Sequence, residues 1–389
     1  MTVTWTIEKV LEEYPEELYP EVILPIAPRA GLSGVRHWQI DSPAGRFCLR
    51  CWPKHTPILN RLEYTQAVLW HAVYEGIDFV PLPVETVDHK GYVPLFDRYW
   101  ELLPWLDGES EPLEALFVPG IPVNEALNIR QNPQQEHHPP FPHKSRDLPP
   151  NVEYKKIAAL RVTAAMIALA QFHEATSTFP LPNEALDFSE AVQQHLEFWK
   201  MQPTAPEQLV PDCPASAPHL FSERHHREWM ERATEIRSLI GSLRSLLTGL
   251  LERVAVQKVP VQPSIGNAHR RHLLYDFEGL SGIIGFKEMG ADSVAWDIAS
   301  LLSSLAGDDE TLWNLGLRSY QAIRPLSEEE QEVITALDLT GSLLIGMQYH
   351  RLLHAGRNIN RPEQVETILD EMAWQNRHLA ACRNRLRAA

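Results

Sequence analysis

The period of the apolar positions changes near the middle of the chain. Residues 1–24 mix apolar and acidic positions at helical spacing and predict a short amphipathic lead-in helix. Two alternating runs, 37–40 and 46–52, flank the turn Asp41-Ser42-Pro43-Ala44-Gly45 and predict a β-hairpin. Over 59–75 the pattern becomes helical through Leu62, Ala67, Val68, Leu69 and Val73, with Gly76 as a stop. Short runs at 80–84, 92–95 and 99–105 read as further strands. From 153 onward the period is helical: an Ala-rich apolar stretch at 154–175 predicts a buried spine helix. Segments 184–200, 222–256, 293–324, 327–356 and 362–386 continue in the same mode, with a Pro/Ala/Ser loop at 202–218.

This change divides the chain into a lead-in at 1–24, a β-rich lobe at 25–106, and a helical lobe at 153–389. Residues 107–152, rich in Pro, Gln and His, read as an insertion or linker. The expected class is α+β with two lobes. Composition leaves that picture intact: 389 residues, 44% hydrophobic and 22% charged, are enough for a sizeable core. A net charge of −16 argues against a nucleic-acid-binding surface. No apolar stretch is long enough for a transmembrane helix and the start has no signal-peptide core, so the expectation is a cytoplasmic protein without membrane partners.

Cysteine and histidine patterns add little chemistry. Cys48-Leu49-Arg50-Cys51 has no second pair to complete a zinc or redox site. His137, His138 and His143 are irregularly spaced and read as loop residues. The informative stretch is Pro263-Ser264-Ile265-Gly266-Asn267-Ala268-His269-Arg270-Arg271-His272-Leu273-Leu274-Tyr275. It is followed by Ile283-Ile284-Gly285-Phe286 and by Ala295-Trp296-Asp297-Ile298-Ala299.

The order and spacing of these pieces resemble the aminoglycoside phosphotransferase/choline kinase family. That family reads H-G-D-x-x-x-x-N-L-L, a short hairpin, I-D-F/W, then D-P-A-W-D-L-A. The resemblance implies a protein-kinase-like fold, with a small β-rich lobe and a large helical one. It also implies that three catalytic positions are degenerate: the loop aspartate is Asn267, the loop asparagine is His272 and the metal-binding aspartate is Gly285. Asp276, in Asp276-Phe277-Glu278-Gly279, imitates the last motif. It follows His272 too closely to leave room for the hairpin, so the degenerate position is Gly285.

Each loss bears on the same step. An asparagine lacks the basicity of a carboxylate, and general-base help is worth ~10²–10⁴-fold. Magnesium takes hard oxygen ligands, which an imidazole and a glycine do not supply. In the β-rich lobe the resemblance makes Arg50 the phosphate-gripping residue, with Glu63 as its helix partner. It makes Gly31-Leu32-Ser33-Gly34 the phosphate-covering loop, and Glu101 to Leu103 the hinge that would meet an adenine. Asp297 is implied to brace the loop through its backbone, and His173 and His269 are scaffold residues.

The resulting expectation is a pseudokinase that binds ATP, another nucleotide or a small polar ligand, or serves as a scaffold for a protein partner, without dependence on magnesium. The run from His269 to His272, with Arg50, would supply cationic groups to an anion. The alternative is an active phosphotransferase using displaced carboxylates, Glu288 or Asp276. A metal-dependent hydrolase built on His269, His272 and Asp276 lacks any recognised ligand spacing.

Overall fold

The structure is a computed structural model that describes residues 3–26, 35–53, 58–110, 150–181, 187–210, 221–266, 268–277, 279–355 and 362–388. In the first lobe α1 (Val3–Leu11) and a 3-10 turn at Glu16–Leu18 precede β1 (Val22–Ile26), β2 (Arg36–Ser42) and β3 (Gly45–Cys51). Then come α2 (Ile58–Tyr74), β4 (Val93–Leu95) and β5 (Arg98–Pro104). The strands form one antiparallel sheet in the order β1-β2-β3-β5-β4.

Two expectations change here. The lead-in helix ends early, and 22–26 instead form an edge strand. Pro25 sits on that edge, where a missing N–H is tolerated. Residues 80–84 form no strand: Pro81 and Pro83 lack the donors a ladder needs, and Val84 alone donates, to the Leu102 carbonyl at 2.8 Å. One face of the sheet, through Trp38, Ile40, Leu49 and Leu102, packs on Ile7, Val10, Leu11 and Tyr14. Each such aliphatic side chain contributes about 1.5–3 kcal/mol on burial.

The helical lobe comprises α3 (Pro150–Thr176), α4 (Glu190–Met201), α5 (Pro206–Leu209), α6 (Glu223–Val254), α7 (Ala295–Ala306), α8 (Glu310–Gln321), α9 (Glu328–Ala355) and α10 (Pro362–Ala388). As the spine, α3 buries Val162, Ala165, Met166, Leu169 and Phe172 in the main core. The helix expected over 293–324 is two helices broken at Gly307. That residue has φ 54° and ψ −123°, and a Cβ there would lie 2.4 Å from the Trp374 ring.

Between α6 and α7 lie β6 (Gln262–Ser264), β7 (Leu273–Tyr275), β8 (Leu280–Ile283) and β9 (Gly290–Asp292); β6 pairs with β9 and β7 with β8. The lobes join through 104–110. Glu109 and Tyr275 exchange backbone hydrogen bonds of 2.9 and 3.1 Å, and the Ser281 hydroxyl donates to the Asp107 carbonyl at 2.6 Å. The first four residues of the expected insertion are thus pinned to the β7–β8 hairpin, and helix α3 begins at 150 rather than 153. Residues 111–149, with His137, His138 and His143, lie outside the described residues. So do Gly31, Gly34 and Asn267.

Candidate functional site

The loop after β6 is held from below by Asp297, in the first turn of α7. Its side chain is fully buried. One carboxylate oxygen accepts from the Ser264 hydroxyl at 2.8 Å and the Ile265 N–H at 2.6 Å; the other accepts from the Gly266 N–H at 2.8 Å. Trp296 donates its indole N–H to the Gly266 carbonyl. His173, at the end of α3, contributes a fourth bond to Asp297 at 3.2 Å. Burial keeps His173 below its ordinary pKa, outweighing the pull of Asp297. The neutral ring therefore donates from Nε2 to Asp297 and accepts from the Tyr320 hydroxyl at Nδ1, 2.8 Å away. A helix, the spine and the loop backbone thus meet on one carboxylate.

Beyond the brace, the basic run does not act as one cluster. Arg270 is 1% exposed and turns into the helical lobe. It reaches Glu371 at 3.2 Å and the Ser304 carbonyl, and stacks 4.9 Å from the Trp374 ring centroid. His269 is buried and held well below its ordinary pKa by burial and by the neighbouring arginines. Its Nδ1 accepts from the Arg271 N–H at 3.2 Å. Arg271 is exposed. Sequence alone cannot show this division, because a 3-10 turn over Arg270–His272 sends consecutive side chains in different directions.

His272 leads into β7, and its carbonyl accepts from the Ile284 N–H at 2.7 Å, at the base of the β7–β8 hairpin. This pairing brings His272 and Gly285 face to face. Gly285 has φ 93°, in the left-handed region, and a Cβ built on it would lie 2.6 Å from the His272 imidazole carbons. The ring fills the space a side chain at 285 would need. The two positions that the resemblance assigns to metal ligands are therefore adjacent, and they offer one nitrogen and no carboxylate.

The nearby carboxylates are engaged elsewhere. Glu288 is exposed and pairs with Arg61 of α2 at 3.0 Å and with Lys287 at 3.2 Å. Asp276 accepts from the Gly279 N–H at 3.1 Å in the hairpin turn. It stands at the far end of β7 from His272, about 13 Å away at ~3.3 Å per residue. The length of β7 therefore separates it from His272. Asp292 accepts from the Glu190 and Ala191 N–H groups at 3.0 and 2.7 Å, capping α4 from another part of the chain. These residues do not fit a magnesium site.

In the small lobe Arg50 lies on the sheet face turned away from α1. Its carboxylate partner is Glu101, directly across the ladder at 3.4 Å, and not Glu63. Glu63 is exposed and accepts from the Tyr92 hydroxyl at 2.9 Å. Glu101, 3% exposed, also accepts from Trp52 at 2.6 Å and Gln66 at 2.9 Å, tying β3, β5 and α2 together. Arg50 stacks 5.4 Å from the Trp52 ring centroid, and its Nε is buried without a hydrogen-bond partner. The residues expected at the hinge stand at the end of the strand that leads to the second lobe. Glu101 to Leu103 lie inside β5 and pair with β3, as does Pro104, so the connection between the lobes starts after Pro104.

A second group of potential ligands sits between α9 and α10. Asp338, His378 and Cys382 are buried with donor atoms within 4.8 Å of one another. The guanidinium of Arg385 already occupies the position of a cation, 3.0 Å from Asp338 and 3.1 Å from the Cys382 sulfur. Burial disfavours charge on His378, but Asp338, 2.6 Å away, outweighs it and holds the ring protonated well above its ordinary pKa. The cluster is a closed ionic network. Cys48 and Cys51 are free thiols on opposite faces of β3.

No family model matches the sequence, and no curated protein does. Solved structures match along nearly the whole chain. An amicoumacin kinase in complex with AMP-PNP and Ca2+ shares 10% identity at a TM-score of 0.58, over 97% of this chain and 93% of that one. A spectinomycin phosphotransferase in complex with ADP and spectinomycin shares 12% identity at 0.57, over 97% and 99%. A microcompartment-associated aminopropanol kinase shares 15% identity at 0.57, over 100% and 98%. Likenesses at these identities carry the fold and not the activity. Together with the two lobes described above, they show that the chain has the kinase-like α+β fold of aminoglycoside phosphotransferases and related small-molecule kinases.

Proposed function

We propose that this protein is a catalytically degenerate relative of the small-molecule kinases, binding a nucleotide or another small phosphate-bearing ligand between its lobes without magnesium-dependent phosphoryl transfer. The observation that carries the reading is the contact of the His272 ring with Gly285. Phosphoryl transfer is catalysed by positioning and by neutralising charge on the phosphates. The places expected to hold the neutralising cation present an imidazole and a bare backbone. Arg50 supports the binding half of the proposal, because its buried Nε keeps an uncommitted donor while Glu101 holds the head group.

Calorimetric titration of ATP into the purified protein, with and without magnesium, tests the reading. The expected result is binding of similar affinity in both, with no phosphate released. Magnesium-dependent turnover would overturn it in favour of an active kinase. Absence of binding under both conditions would leave a scaffold role and turn the search to protein partners.

A further inference from the structure

The histidine at 272 and the glycine at 285 stand for two separate losses in the sequence. In three dimensions they are one. Gly285 keeps φ at 93° as the residue that opens the 3-10 turn at Phe286–Glu288. An aspartate is among the side chains that best tolerate this backbone region, so the backbone alone does not exclude a carboxylate. The ring does. A Cβ on residue 285 would meet the His272 Cδ2 and Cγ at 2.6 Å and Nδ1 at 2.9 Å. Real Cβ contacts do not come this close. The imidazole is half-buried, and its backbone is fixed on both sides, by the N–H donating to His269 and by the carbonyl accepting from Ile284. Moving the ring therefore means a new rotamer in a packed surrounding, and overpacking of this kind is destabilising.

We infer that His272 is a side-chain plug. Its ring takes the volume that a ligand at 285 would occupy, so the cation site is closed by packing as well as lacking a carboxylate, and Gly285→Asp alone cannot reopen it. A shorter residue at 272 has to come first. The steric part stands by itself; the consequence for nucleotide binding rests on the function proposed above.

A double-mutant cycle separates the two parts. Wild type, Gly285→Asp, His272→Asn and the double variant are compared by thermal unfolding, and then by calorimetry with ATP in the presence and absence of manganese. Gly285→Asp alone is expected to lower Tm by roughly 3–6 °C. His272→Asn changes Tm little, and the double variant recovers at least half of the loss. Purely additive shifts, or a Gly285→Asp protein as stable as wild type, overturn the plug. If Gly285→Asp does not fold, the cycle of Gly285→Ala with His272→Ala decides in the same way. In the double variant manganese is expected to tighten ATP binding about tenfold, with no effect on wild type. Coupled Tm values without ATP binding in any of the four proteins keep the plug and overturn the nucleotide reading. ATP binding to the double variant that ignores manganese overturns the claim that the plug closes a cation site.

Discussion

The two ends of one short loop have been treated very differently. At 264–266 the backbone is gripped by a fully buried carboxylate of α7 with four hydrogen bonds, drawn from β6, the loop that follows it and the spine helix. About twenty residues later, at the base of the hairpin, a ring rests on a glycine where the resemblance leads one to expect metal ligands. The braced end holds the fold together: the Ser264 hydroxyl, the Ile265 and Gly266 N–H groups and the Gly266 carbonyl all have partners. At the hairpin end the His272 ring fills the space beside Gly285, and under the proposed function that end no longer serves phosphoryl transfer. Scaffold and reactivity are thus separable within a single loop, because they rest on different side chains.

The contrast is most directly broken at Asp297. Asp297→Ala strands several buried donors at once and should cost at least about 3–5 kcal/mol, read as a large loss of Tm or of soluble protein. A mild effect would show that the loop does not need its brace. Arg270→Ala should come next, at about 3 kcal/mol, because Glu371 is then buried without its cation. Arg270→Met should be milder than the alanine, whereas Arg271→Ala, on the exposed side, should leave Tm unchanged and act on anion binding alone.

The helical scaffold should also respond to pH. Burial pushes His195 down to about 4, and burial with Arg237 pushes His350 down to about 3. Unfolded, both titrate near 6.5. Between pH 6.5 and about 4 the unfolded chain binds more protons, so stability falls as pH falls. The slope is up to about 1.4 kcal/mol per pH unit for each ring. Tm measured against pH should flatten over this window in His350→Leu.

Glu101→Gln should cost about 1 kcal/mol and weaken ATP binding a few-fold, by freeing the Arg50 head group. Glu288→Ala should be the smallest change. Its exposed pairs are worth at most about 0.5 kcal/mol, and phosphate release should be unaltered. A magnesium-dependent activity lost in Glu288→Ala would erase the contrast between scaffold and chemistry altogether.

The fold was legible in the sequence because its signals are local. Alternation around Pro43 specified the β2–β3 hairpin, and the Ala-rich period specified the spine. The hairpin between His272 and Gly285 followed from the resemblance, and the paired β7 and β8 match it. What escaped depends on neighbours far apart in the chain. Arg50 meets Glu101 because β5 inserts beside β3, a strand order that no local pattern encodes. The resemblance made Glu63 of α2 the partner of Arg50, yet Glu63 faces solvent. The inward turn of Arg270 escaped too, since its partner Glu371 lies 101 residues away. Asp292 gave no sign that it caps a helix beginning about a hundred residues earlier. The strand expected at 80–84 failed for a local reason that was visible: two prolines outweigh the apolar run.

The double backbone exchange between Glu109 and Tyr275 has a mechanical consequence. Chain tension arriving at residue 110 meets the β7–β8 hairpin before it reaches the five-stranded sheet. It loads the β7–β8 hairpin, through two parallel bonds backed by Ser281 on Asp107. The hairpin is therefore a force-bearing strut, and a tug on that segment is delivered along β7 toward the end where His272 sits.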